Sequence, residues 1–194
     1  MSGNKRMGLV LIEAFADWEY GLVAASAVAW FGFSLTVLTP GGGPVTSMAG
    51  VTVTGGSALE AAPADDFDAV ILIGSDRWEK GAAPEADALA RAVHDSGGTV
   101  GAICGGTVAL ARCGMLEDRA HTSNGRKWLR DVAGDYAGAD HYRDTPEAVT
   151  DDRIVTAPGT APATFAVAVM TSLLPGGEDQ IAEMRAMMAA EHTV

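Results

Sequence analysis

The run TVGAICGGTVALARCG, residues 99–114, puts a cysteine where an apolar β-type segment meets two glycines and a helical pattern. Cys104 is therefore the first candidate for chemistry. A thiol at the carboxyl end of a strand and the amino end of a helix feels free backbone N–H groups and the positive end of the helix dipole. Both favour thiolate, which lowers the thiol pKa and makes sulfur a nucleophile. Gly105 and Gly106 let the backbone turn sharply and let a substrate come close. The same N–H groups can hold a developing oxyanion. The layout has the logic of a strand–nucleophile–helix elbow with Cys in place of Ser. The competing reading is a small buried hydrophobe, a common fate of free cysteine.

Other residues can join Cys104 if the elements place them at the same edge. Glu19, in EAFADWEY, falls in the first turn after the first strand. Buried beside a thiolate, its carboxyl would keep its own proton and donate a hydrogen bond to sulfur. The alternative is a solvated carboxylate favoured by the helix dipole, and the sequence does not choose between them. Asp17 reads as a helix cap. LIGSDRW ends another strand at Gly74. There the Ser75 backbone N–H can reach a substrate oxygen, and Trp78 is expected either to wall the pocket or to pack on the surface. Cys113 closes the helix after Cys104, where the dipole opposes thiolate, so it reads as core. His94 sits on an amphipathic helix and His192 near the chain end, both without a chemical setting. His121 and His141 are possible bases with no motif to place them. No Cys/His spacing suits zinc, so no metal and no cofactor are expected.

The elements that must hold these residues alternate. Strands are expected at Met7–Ile12, 33–40, 68–74 and 99–104, with a short hairpin over 41–56. A further short strand is expected at AHTS, 120–123, and a hairpin at 147–157 turning at Asp151-Asp152. Helices are expected over 18–32, closed by Gly32, and over 84–98, 106–114, 125–134, 160–174 and 178–192. Fully apolar strands alternating with helices imply a mostly parallel sheet covered on both faces. Such sheets bind ligands beyond the carboxyl ends of their strands. The 194 residues read as one domain, 1–194. A net charge of −12 argues against nucleic-acid or anionic-membrane partners. Met7–Ile12 reads as a buried strand rather than the apolar core of a leader, because Glu13, Asp17 and Glu19 interrupt the run. Two cysteines at opposite ends of one helix are too far apart for a disulfide, and a reducing, cytoplasmic setting fits.

At AICGGTVAL the chain resembles the DJ-1/PfpI superfamily, whose domain is similar to that of class I glutamine amidotransferases. The resemblance runs through DWE after the first strand, ILIGS, AICGGT, HTSN and DDRIVTAPGTAP. It implies a flavodoxin-like α/β three-layer sandwich. It implies Cys104 as the reactive cysteine and Glu19 as the carboxyl bonded to it. Gly74, Ser75 and Gly105 match the turns around the cysteine. Gly105 stands where PfpI-type proteases place His, so protease activity is not implied. Asn124 stands where glyoxalase-like members often carry His. The downstream His-x-Glu of true glutamine amidotransferases is missing. The implied activity is a cysteine-dependent reaction on a small carbonyl, amide or nitrile-like substrate. A redox or stress-response protein acting through oxidation of Cys104, and a binding module without chemistry, are the alternatives. A homodimer is implied by the family alone.

Overall fold

The apolar runs pair into one sheet because neither of their faces has polar residues to offer to water. A computed structural model of the chain describes residues 4–190. In chain order these form β1 (Arg6–Val10), α1 (Asp17–Ala25), β2 (Ser34–Thr39), β3 (Val45–Thr46), β4 (Thr52–Val53) and β5 (Ser57–Ala58). Then follow β6 (Ala69–Leu72), α2 (Glu85–Asp95), β7 (Thr99–Ile103), α3 (Gly106–Arg112) and α4 (Arg126–Ala133). β8 (Val149–Asp151), β9 (Ile154–Ala157), α5 (Pro162–Leu173) and α6 (Glu178–Ala189) complete the described chain.

Among the described residues the main sheet has seven strands in the order β5-β2-β1-β6-β7-β9-β8. All neighbours are parallel except β8 and β9, which form an antiparallel hairpin at one edge. The expected hairpin over 41–56 is the separate β3–β4 pair. Side chains alternate between two cores, as strand geometry requires. Val10, Ile12, Val70, Leu72 and Val100 face a layer made by α2, α3 and α4. Leu9, Leu11, Ile71, Ile73 and Ile103 face a layer made by α1, α5 and α6. Each fully buried Leu, Ile or Phe contributes roughly 2 kcal/mol to this arrangement. The flavodoxin-like α/β architecture is therefore present, with helices on both faces of a mostly parallel sheet.

Four local expectations change. The first helix ends where Gly32 predicts, at φ +67°, but its last turn, Ser26–Trp30, is a π-helix. The Asp17 side chain does not cap it. Ala16 takes the cap position, and the Asp17 carboxylate accepts the Ala49 N–H at 2.9 Å, tying the β3–β4 turn to the start of α1. The hairpin at the sheet edge turns one residue later, at Asp152-Arg153, both at positive φ. Residues 120–123 are not a strand; they make only one isolated bridge, His121 to Tyr142. The reason is local: Thr122 N–H donates to the Thr156 hydroxyl and Ser123 N–H to the Tyr142 hydroxyl, so side chains take the donors a ladder would need. Of the last expected helix, Glu191 and His192 lie outside the described residues.

Candidate active site

β7 delivers Cys104 to the carboxyl edge of the sheet, and the backbone turns there at φ +55°. That value is unusual for a residue with a Cβ and costs of order 1–3 kcal/mol unless the surroundings impose it. Here they do. Cys104 N–H donates to the Ala157 carbonyl at 2.9 Å, so β9 holds the incoming side of the turn. Its carbonyl accepts the Thr107 N–H at 3.2 Å and the Thr107 hydroxyl at 2.6 Å, so α3 holds the outgoing side. Gly105 packs on the Ser75 backbone: a Cβ there would lie 2.3 Å from the Ser75 oxygen.

Glu19 is fully buried. Its Oε2 accepts the Gly74 N–H at 2.7 Å. Its Oε1 has no well-directed hydrogen-bond partner, and the neighbour left to it is the Cys104 thiol. Burial pushes the carboxyl up to about 7, against the opposing pull of the Gly74 N–H and the thiol. This decides between the two sequence readings of Glu19: it is a desolvated group facing sulfur, not a solvated first-turn carboxylate.

The thiol moves the other way from the sequence expectation. Burial, and then the Glu19 charge, push Cys104 up to about 11, although the Asn124 side chain and the Gly105 N–H pull it down. Desolvation of a thiolate outweighs the short α3 dipole and its N–H groups. The Cys104 thiol is therefore protonated at neutral pH, where Glu19 is passing from acid to carboxylate, so the negative charge that the pair gains with rising pH goes first to the carboxylate.

Asn124 completes the ring around sulfur. Its Nδ2 donates to Sγ at 3.2 Å, and its Oδ1 accepts the Gly159 N–H at 2.9 Å. The second bond fixes which end of the amide faces sulfur, so Asn124 is a donor there and not a base. Gly159 lies directly over the pair: a Cβ on it would sit 2.9 Å from both Sγ and Glu19 Oε1. Gly74 is as tightly enclosed, with the place of its missing Cβ 2.4 Å from Glu19 Oε2 and 2.6 Å from Cys104 Cβ. Ser75 contributes only its backbone, because its hydroxyl donates to the Glu13 carbonyl and accepts the Arg77 N–H. Among the described residues the Ser75 and Gly105 N–H groups donate to no protein oxygen; the Gly105 N–H acts on the Cys104 sulfur, and a substrate oxygen would meet it there together with the Ser75 N–H.

Trp78 is not part of the site, nor is it on the surface. It is fully buried in the α2–α3–α4 core, with Nε1 donating to the Ile73 carbonyl at 2.7 Å. Trp18 is the tryptophan at the site instead: its Nε1 donates to the Gly159 carbonyl at 2.9 Å. Sequence reading missed Trp18 and Gly159. The signal was adjacency, since Trp18 precedes Glu19 and Gly159 follows β9 at the same sheet edge as Cys104.

None of the described histidines joins the site. His121 is buried, bonded to the Arg119 carbonyl and the Tyr136 hydroxyl, and desolvation holds its pKa down. His94 leans on the Asp152 carbonyl and ties α2 to the β8–β9 turn. His141 ends a 3-10 turn, and its carbonyl accepts the His121 N–H. Cys113 is half-buried against the core, as expected.

A depression of about 320 Å³ adjoins Asn124, lined also by Ser123, Tyr142, Asp144 and Pro158. A larger one, about 400 Å³, lies at the opposite, amino end of the strands around Lys5, Asp68 and Thr99. Its Lys5 and Arg6 are engaged with Asp68 and Asp66. Chemistry, not size, makes the first the relevant one. Among the described residues no helix is long and apolar enough to cross a membrane.

Comparison with known proteins places the chain among relatives of the same fold. A Bacillus subtilis (strain 168) protein named uncharacterized protease YoaZ is 32% identical over 180 residues, spanning 88% of this chain and 84% of its own. The crystal structure of a DJ-1 superfamily protein from Agrobacterium tumefaciens is 39% identical, with a TM-score of 0.87 over 97% of this chain and 99% of that one. Drosophila melanogaster DJ-1beta, 22% identical, shares the fold with a TM-score of 0.76 over 95% of this chain and 97% of its own. Residues 5–172 match the DJ-1/PfpI family, and the chain belongs to it.

Proposed function

We propose that the protein is a cysteine-dependent enzyme acting on a small carbonyl, amide or nitrile-like substrate, with Cys104 as nucleophile and Glu19 as its proton carrier. The observation that carries this is the closed set of contacts around one sulfur. A strained backbone presents the thiol, a buried carboxyl faces it, and an amide N–H is aimed at it.

The pKa pattern selects the order of events. Cys104 stands at about 11 and Glu19 at about 7, so the ground state is thiol and carboxylate near and above neutral pH. A nucleophile in that state needs a base at the moment of attack. As Sγ bonds to a carbonyl carbon, the π pair moves to oxygen and the thiol proton moves to Glu19. Transfer also removes the Glu19 charge that opposes the thiolate, while Asn124 Nδ2 supports it. The N–H groups of Ser75 and Gly105 are placed for the oxygen. Returning the proton from Glu19 to that oxygen gives a neutral adduct, so the step needs no histidine.

The same numbers weigh against a redox sensor. Peroxide attacks thiolate, and a sensor cysteine needs a depressed pKa at rest. A thiol raised by burial is protonated at rest at neutral pH, which slows its reaction with an oxidant. The relative named as a protease lends no catalytic histidine here, because Gly105 follows the cysteine and Asn124 is a donor only.

The test is turnover on a panel of small aldehydes, amides and nitriles. Cys104→Ala is expected to abolish whichever activity the wild type shows. A Cys104→Ala protein with unchanged turnover would remove Cys104 from the mechanism.

A further inference from the structure

Three hydrogen bonds run in sequence across the mouth of the site. Trp18 Nε1 donates to the Gly159 carbonyl at 2.9 Å. The Gly159 N–H donates to Asn124 Oδ1 at 2.9 Å. Asn124 Nδ2 donates to Cys104 Sγ at 3.2 Å. Gly159 is thereby held on both sides, its N–H by Asn124 and its carbonyl by Trp18, directly over the Cys104–Glu19 pair. Trp18 and Glu19 are consecutive in the first turn of α1, yet they do opposite things. Glu19 is fully buried beneath the peptide, while Trp18 is 55% exposed and reaches it from outside. The indole is partly exposed, and its N–H makes a directed hydrogen bond to the loop carbonyl.

We propose that Trp18 is a positioning residue for Cys104: its indole N–H keeps the Gly159 peptide seated as a cover over the thiol and the carboxyl. This rests on Cys104 being the reactive centre. The cover explains why a thiol at the sheet edge is only half-exposed. It also couples sulfur to the surface, since a ligand that displaces the indole loosens Gly159, then Asn124, then the donor on Sγ.

The consequence is a direction. Burial is the largest influence raising the thiol, and Glu19 is the only ionisable side chain among the described residues whose charge acts on it. Loosening the cover admits water to sulfur and leaves Glu19 in place. The thiol then ionises more readily, even though some Asn124 support is lost, because desolvation is the larger influence.

The experiment is the pH dependence of Cys104 alkylation by iodoacetamide, read by peptide mass mapping in the full chain. Trp18→Phe keeps an aromatic ring and removes the donor. Trp18→Leu removes both. Each is expected to move the midpoint down and to speed alkylation at mildly alkaline pH by about threefold or more, the factor that a midpoint lower by half a pH unit makes. An unchanged or slowed rate in the folded variants overturns the proposal. Loss of folding in both overturns it too, since the side chain would then be structural. No substrate enters the measurement, so this result is independent of whether the Cys104→Ala turnover test succeeds.

Discussion

α3 has a cysteine at each end, and the two thiols differ less than their roles suggest. Both are half-buried and unpaired. Burial is the first cause pushing each thiol up. Each has a raised carboxyl near it, Glu19 at about 7 and Asp87 at about 6. The contrast lies in how much of the polar surroundings is already used. Around Cys113, Sγ donates back to the Leu110 carbonyl of its own helix at 3.5 Å, and Asp87 has Arg91 and Arg112 to offset its charge. Around Cys104 the backbone is held at positive φ, Asn124 donates to sulfur, and Glu19 Oε1 has no well-directed partner. The two thiols are told apart by the donors and acceptors around them, not by exposure or by their place on a helix dipole.

The glycines beside the two cysteines give the largest expected separation. A Cβ at Gly74 would meet Glu19 Oε2 at 2.4 Å and Cys104 Cβ at 2.6 Å. Neither can retreat without breaking the pair. Gly74→Ala is expected to cost about 3 kcal/mol in urea unfolding, at the upper end for overpacking, and to abolish turnover. Gly114→Ala meets only the flexible Glu117 carboxylate, at 3.1 Å, but must adopt φ +74°. That costs about 1 kcal/mol and should leave Cys104 alkylation as in wild type. Equal effects at the two glycines would erase the distinction between the two ends of α3.

Glu19→Gln sharpens the comparison through charge. Removing the carboxylate lowers the Cys104 midpoint, and a midpoint lower by about one pH unit would speed alkylation at mildly alkaline pH about tenfold. Cys113 should not respond. Turnover should fall nonetheless, because the variant has lost its proton carrier. Stability supplies a second reading. A carboxyl whose folded pKa lies above its unfolded value stabilises below the unfolded value, and that contribution is lost as pH rises through the folded one. For Glu19 the window runs from 4.5 to about 7, and at about 1.36 kcal/mol for each pH unit the loss is of order 3 kcal/mol. Glu19→Gln should therefore gain stability over wild type across that window. Urea midpoints that stay parallel in the two proteins would mean that Glu19 is not desolvated.

The reach of the sequence follows the range of the interactions involved. Strand–helix alternation, the elbow at Cys104 and the Gly74 turn are written in neighbouring residues, and they stand. Glu19 was legible in position, because the first turn after a strand must lie at the sheet edge. Its protonation was not, because burial depends on β6 and the Gly159 loop arriving from elsewhere in the chain. The Cys104 pKa went the wrong way for the same reason: the helix dipole is local and visible, desolvation is not. Trp78 went to the core instead of the pocket or the surface because a strand-end turn does not reveal which layer its next side chain enters. The strand expected at 120–123 failed where the Thr156 and Tyr142 hydroxyls, distant in sequence, took its backbone donors.

The smallest expected effect belongs to Cys113→Ser, and its smallness is informative. Serine keeps a donor for the Leu110 carbonyl, loses little volume, and sits at a half-buried helix end where the nearby Asp87 charge is offset by Arg91 and Arg112. Stability should stay within about 0.5 kcal/mol of wild type. The Cys104 alkylation midpoint should not move, because α3 links the two sites through its own backbone hydrogen bonds and packed side chains, and the partners of the two thiols, Asn124 for Cys104 and the Leu110 carbonyl for Cys113, are not shared. The pair of readings matters more than either alone. A lowered or raised Cys104 midpoint at unchanged stability would mean that the Asp87–Arg91–Arg112 charges reach sulfur through the helix. The two cysteines would then be one coupled system, and the surroundings of Cys104 would no longer suffice to explain how its thiol ionises.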